Sequence, residues 1–175
     1  ASLATLGTSV AFVTALPKHA IADACIGTLR GLGVTTDHIV RTDAGRLGLY
    51  FLESGANQRP SQVIYDREHS SIGLTACEMY DWSAIFQDAR WFHTTGITPA
   101  VRATAAHTAI QAVTMAKQAG LTVSCDLNFR KKLWRWDPDV PSRQLAENTM
   151  RQLLPHVDVL IANEEDCDDV LQITA

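Results

Sequence analysis

No stretch of this 175-residue chain stays apolar for the roughly 18 residues that a membrane span requires. Nothing at its start reads as a signal peptide, so a cytoplasmic protein with no membrane partner is expected. A basic face is missing too. The formal net charge is −4, and the Lys/Arg cluster at 130–135 is too short to offset the acids, which excludes nucleic acid as an expected partner. Cysteine is sparse and scattered. Cys25, Cys77, Cys125 and Cys167 form no Cys-x-x-Cys pair, and no histidine stands beside them at metal spacing. Reduced, mostly buried thiols are therefore expected rather than a disulfide framework or a zinc site. Internal repeats and low-complexity tracts are also absent.

What remains is an ordinary globular composition. Hydrophobic residues make up 46% and charged residues 19%, enough for one real core and a single domain or most of one. The opening Ala1-Ser-Leu-Ala-Thr-Leu-Gly7 reads as the last turns of a helix with a glycine stop, and the chain finishes just after a helical pattern from Glu164 to Leu171. The expectation is a fragment, or the ordered part, of a longer protein.

In chain order, Thr8–Ala15 reads as a strand. Pro17 precedes a helix from about Lys18 to Arg30 with Ile21, Ala24, Cys25 and Leu29 on one stripe. Three strand-like segments follow, His38–Thr42, Leu47–Glu53 and Ser61–Arg67, separated by turn-rich residues. Leu49 and Phe51 fall on one side, Tyr50 and Leu52 on the other. A small antiparallel sheet inserted between βα units, a lid over 37–68, fits this pattern. Then βα alternation returns: a short helix at Ser83–Phe86, a strand at Trp91–Thr95, a long helix at about Ala100–Ala119 and a strand from Val123. A helix at Pro141–Leu154, a strand at Val157–Ile161 and a helix capped by Asn163 complete it. Strands separated by helices imply an α/β fold with a mostly parallel sheet flanked by helices, with 1–36 and 69–175 as its partial core.

The most informative stretch is Val123-Ser-Cys-Asp-Leu-Asn-Phe-Arg-Lys-Lys-Leu-Trp134. An apolar strand gives way abruptly to Asp126, Asn128 and Arg130 on alternate positions. At the carboxyl end of a central parallel strand, where ligands bind in open α/β sheets, an acid, an amide and a guanidinium suit a small, polyhydroxylated, anionic ligand. The alternative is a polar loop that only caps the next helix.

Asp126-Leu-Asn128-Phe-Arg130 with Leu133-Trp134 resembles the Asp-x-Asn-x-Arg…Leu-Trp signature of 2-keto-3-deoxygluconate kinases, members of the ribokinase-like (pfkB) sugar kinases. Leu49-Tyr-Phe-Leu52, Val63-Ile-Tyr65-Asp-Arg67, Thr95-Gly-Ile-Thr-Pro99 and Ile161-Ala-Asn163-Glu-Glu-Asp166 also fall in that family's order, and the match covers essentially the whole chain. The resemblance implies a ribokinase-like fold and phosphoryl transfer from ATP to a sugar acid lying in a cleft between core and lid. Substrate contacts would be Tyr50, Tyr65 and Arg67 from the lid, Ile97 from the Gly-Ile-Thr loop, and Asn128 and Arg130 from the central stretch. Physical chemistry points the same way. Guanidinium forks hold carboxylates best, and tyrosines offer hydroxyls and a flat face.

Each assignment has a plainer alternative. Tyr50 and Tyr65 would also fill the inner face of a small sheet, and Arg67 would pair with Glu68 or Asp66 in solvent. Ile97, Trp134 and Trp136 suit packing, and His93 suits a hydrogen-bonded core position. Asn163, Glu165 and Asp166 correspond to the family's Asn-x-x-Glu motif, which organises Mg²⁺ and phosphate, with Asp166 where the family has Glu. The Gly-Ala-Gly-Asp segment that carries the family's anion hole and catalytic Asp has no match in the chain, and neither do the sugar-binding glycines of the family's first strand. These 175 residues alone are therefore expected to be inactive. The resemblance leaves sibling kinases open (5-dehydro-2-deoxygluconate kinase, fructokinase, ribokinase), as well as a non-catalytic sugar-binding or assembly module. An exposed lid edge suggests a homodimer or higher homo-oligomer.

Overall fold

The computed structural model describes residues 1–174, which fall into two compact units, Ala1–Thr75 and the part from Ala76 onward. The first unit opens with α1 (Ser2–Thr5), ended by Leu6 and by Gly7 at φ +86°, a left-handed stop that glycine takes without a Cβ penalty. A βαβ element follows. β1 (Thr14–Pro17) pairs in parallel with β2 (Ile39–Thr42), in the register Thr14↔Ile39 to Pro17↔Thr42, and α2 (Ala20–Gly31) is the crossover. His19 caps α2, its Nδ1 accepting the Ala22 N–H at 3.2 Å. Leu16, Ala22, Ile26 and Ile39 form the small core between strand and helix.

Three sequence expectations are corrected in this unit. His38–Thr42 does not join the inserted antiparallel sheet; as the strand after a helix it lies parallel to β1, burying Ile39. The lid sheet is therefore two-stranded. The strand expected at Thr8–Ala15 starts only at Thr14, because its partner starts at Ile39, and Ala11 makes one isolated bridge to Thr35. On α2 the buried residues are Ala22 and Ile26; Ile21 is 68% exposed, and Ala24 and Cys25 face solvent. Ala22-Ile26-Leu29 and Ile21-Ala24-Cys25 both satisfy the helical period, and contact with Leu16 and Ile39 selects the former.

The lid is a hairpin of β3 (Leu49–Glu53) and β4 (Gln62–Asp66), with Tyr50 directly opposite Tyr65 and Leu52 opposite Val63. Its base is fastened by the Arg46 guanidinium, which grips both oxygens of the Asp66 carboxylate. At Gly45 (φ +79°) a Cβ would sit 2.7 Å from the His69 carbonyl, so the turn into the hairpin admits only glycine. α3 (Ser71–Leu74) closes the unit.

The second unit contains the larger core. A 3₁₀ turn (Cys77–Met79) and α4 (Trp82–Phe86), capped by the Asp81 carboxylate on Ala84 N–H, lead to β5 (Trp91–Thr95). Then come α5 (Ile97–Ala100), α6 (Ala103–Gln118), β6 (Thr122–Asp126), α7 (Ser142–Leu153), β7 (Val159–Ile161) and α8 (Glu164–Leu171). The strands form a parallel sheet in the order β5-β6-β7. Fully buried Val123 and Cys125 share one core with Val113 of α6 and Leu145 and Met150 of α7. The long helix expected at about Ala100–Ala119 is α6; its start is set by Arg102, which is extended (φ −169°, ψ 159°) and separates it from the short α5. At the β6–β7 junction Lys117 hydrogen-bonds Asp158, whose carboxylate also accepts Val123 N–H. Both hold that carboxyl below the usual carboxylate range. Among the described residues no helix is long and apolar enough to cross a membrane.

Candidate functional site

Side-chain alternation on the hairpin decides what the lid presents. Tyr50 and Tyr65 are a direct cross-strand pair and so share one face, and Arg67 falls on that face two positions beyond Tyr65. The Arg67 guanidinium lies over the Tyr65 ring, 5.4 Å from its centroid. It makes no ion pair among the described residues. Asp66, one alternative partner, is held by Arg46 instead. Tyr50 is 59% exposed, so it fills no core. Leu49, Phe51 and Ile64 occupy the opposite face and are exposed as well.

The other cluster stands at the carboxyl edge of the three-stranded sheet. Two backbone bonds knit the loops there: Gly96 N–H donates to the Asp126 carbonyl and Leu127 N–H to the Ile161 carbonyl, both at 2.8 Å. The backbones lie so close that a Cβ on Gly96 would sit 2.1 Å from the Leu127 carbonyl oxygen. After β6 the chain alternates: Leu127 and Phe129 plunge into the core, leaving Asn128 partly accessible and Arg130 exposed. Asn128 has φ +38°, the left-handed region that asparagine tolerates better than most residues. Its Nδ2 reaches Thr95 Oγ1 at 3.5 Å, and Ile97 N–H donates to the same oxygen at 3.4 Å. Among the described residues the Arg130 guanidinium hydrogen-bonds only the Phe129 carbonyl, at 3.5 Å, and has no carboxylate partner.

Asn163 caps α8 as expected, its Oδ1 accepting Asp166 N–H at 2.6 Å. Glu165 is exposed and Asp166 buried. Among the described residues no group of three or more His, Cys, Asp or Glu side chains stands ready to enclose a metal ion. Trp134 is buried, and Trp136 donates its indole N–H to the Pro99 carbonyl, so both serve packing. His93 bonds Ser124 Oγ at 2.8 Å but is exposed on the sheet face rather than in the core. The structure thus groups Tyr50, Tyr65 and Arg67 in one unit, and Ile97 and Asn128 in the other through Thr95. Thr95 itself was not singled out from sequence. In the sequence it stands only as the first residue of the Thr95-Gly-Ile-Thr-Pro99 motif, with no contact assigned to it.

The model for the pfkB family of carbohydrate kinases covers residues 1–174. The chain belongs to that family. Its α/β fold is ribokinase-like. It is similar to the 2-dehydro-3-deoxygalactonokinase of Haloferax volcanii, with 36% identity over 168 residues, 96% of this chain and 50% of that protein. The crystal structure of a 2-dehydro-3-deoxygluconokinase from Thermotoga maritima superposes with a TM-score of 0.90 at 46% identity, covering 98% of this chain and 50% of the other. A fructokinase from Xylella fastidiosa, solved with bound ATP, gives a TM-score of 0.82 at 28% identity, covering 98% and 50%. The chain spans about half the length of the curated relatives it matches.

Proposed function

We propose that this chain is part of a sugar-acid kinase that moves the γ-phosphoryl group of ATP to a hydroxyl of 2-keto-3-deoxygluconate or its galactonate epimer. The observation that carries this reading is that two guanidiniums, one on the lid and one at the sheet edge, have no carboxylate partner among the described residues. Arg67 is backed by a tyrosine ring and Arg130 stands at the sheet's carboxyl edge, whereas nearby Arg46 is spent on Asp66. An unpaired guanidinium is suited to a bidentate carboxylate, which a sugar acid has and a neutral sugar lacks. Tyr50, Tyr65, Arg67, Ile97, Asn128 and Arg130 would supply the substrate contacts. The names of the Haloferax and Thermotoga relatives support the acid, and the ATP-bound fructokinase supports the donor.

Mg²⁺ would accompany ATP, neutralising phosphate charge. Since Mg²⁺ keeps several waters, one or two carboxylates suffice; exposed Glu165 fits that outer role, and buried Asp166 fits it less well. Asn163 fits less directly, because its amide oxygen is already committed to the helix cap. No residue of this chain is assigned as the base that takes the hydroxyl proton, and positioning and charge neutralisation are its share of the work.

The test is a screen of the full-length protein with ATP against keto-deoxy acids and neutral ketoses. Acids should be preferred. Arg67→Ala and Arg130→Ala should each lower kcat/KM on the acid by roughly 10- to 100-fold, the worth of a charge-assisted contact of about 1.5–3 kcal/mol, and barely affect a neutral ketose. A preference for fructose or ribose, untouched by either substitution, would overturn the assignment.

The second face of the lid supports a homodimer. Leu49, Phe51 and Ile64 are 41%, 56% and 58% exposed on one side of the hairpin, an apolar surface suited to a second copy. Phe51→Glu should then yield a monomer by light scattering; an unchanged mass, or a monomeric parent, removes the lid from assembly.

A further inference from the structure

We propose that Thr95 is a positioning residue for the acceptor sugar, tying together the two loops that would hold it; this deepens the kinase reading and rests on it. Thr95 ends β5 in register with Asp126 of β6. Its hydroxyl oxygen is the shared acceptor for the Ile97 N–H and the Asn128 side-chain amide, at 3.4 and 3.5 Å. Two lone pairs allow both bonds, and the hydroxyl proton has no acceptor among the described residues. One oxygen therefore links the loop after β5 to the loop after β6.

The link matters because Asn128 is held at φ +38°. A non-glycine residue in that region persists only where its surroundings over-determine it. The backbone bonds from Gly96 to Asp126 and from Leu127 to Ile161 hold the main chain on one side of Asn128. The Thr95 hydroxyl is what engages the Asn128 side chain itself. Without it the amide is free to rotate, and the Ile97 N–H loses its acceptor. A β-branched residue is stiff at χ1, so threonine holds the oxygen in place better than serine would. Misplacing such groups by a fraction of an ångström weakens recognition of a hydroxylated substrate while leaving the fold intact.

The experiment compares Thr95→Val, which keeps shape but removes the oxygen, with Thr95→Ser, which restores it, in the full-length protein. Thr95→Val should raise KM for the sugar acid about tenfold while KM for ATP stays put, and Thr95→Ser should return to within about threefold of the parent. Amide exchange at Ile97 should accelerate in Thr95→Val and recover in Thr95→Ser, with Leu127 unchanged, a pattern that loosened packing would not produce. A parent active on sugar acids whose KM does not move in Thr95→Val, or a Thr95→Ser protein as impaired as Thr95→Val, overturns this inference alone. A parent inactive on every sugar acid overturns the kinase reading, and Thr95's role in sugar binding with it.

Discussion

Replacing Gly96 by alanine tests how tightly the sheet edge is built. The added methyl would sit 2.1 Å from the Leu127 carbonyl oxygen, so the two backbones must part by about 1.3 Å to reach ordinary contact at 3.4 Å. Neither is free to do so. Gly96 N–H is bonded to the Asp126 carbonyl, Leu127 N–H to the Ile161 carbonyl, and the Leu127 side chain is 1% exposed. Overpacking costs about 1–3 kcal/mol, and loss of the Gly96 hydrogen bond adds about 1 kcal/mol. Gly96→Ala should therefore destabilise by about 2–4 kcal/mol, lowering Tm by roughly 5–15 °C for a protein of this size. Gly27→Ala is the internal control: it lies inside α2, at negative φ with nothing within 4 Å of the new methyl, and should stabilise by about 0.5–1 kcal/mol. Denaturant unfolding of both variants measures the difference. Loss of less than about 1 kcal/mol in Gly96→Ala, or an equal loss in both variants, refutes the close-approach argument.

The α2 face and the thiols yield two further outcomes. Ile26→Ala should cost about 2–4 kcal/mol in thermal unfolding, whereas Ile21→Ser stays within about 0.5 kcal/mol; the reverse order would mean that the helix packs on its other stripe. Burial, and then the Asp126 carboxylate, push the Cys125 thiol up to about 12, and burial likewise raises Cys77. Exposed Cys25 should thus react with a thiol reagent near pH 8 in the native protein, while Cys125 reacts only after denaturation. Equal labelling rates for the two would contradict the core assigned to β6.

Much of the layout was legible in residue order, because it depends on local chemistry. Trp91–Thr95 occupies the span its apolar run marks, and Asn163 caps α8 through its own side chain. The alternation of Tyr50 and Leu52 against Leu49 and Phe51 follows from the period of two that any strand imposes. Errors arose where one pattern admits two partners. His38–Thr42 reads equally as a lid strand or a βαβ strand, and only pairing with β1 separates them. The two stripes of α2 have the same period, and contact with Leu16 and Ile39 chose one.

By itself, then, the amino-acid order determined an α/β chain of this family, with the candidate site residues placed at strand ends and on a hairpin, since those placements need only periodicity, turns and caps. Tertiary structure alone decided which groups remain available: Arg46 takes Asp66 and so leaves Arg67 to Tyr65, and Thr95 gathers Ile97 and Asn128 from separate loops. Those outcomes are competitions among side chains far apart in sequence, and a hydrogen-bond partner is assigned only when the competitors are folded into reach.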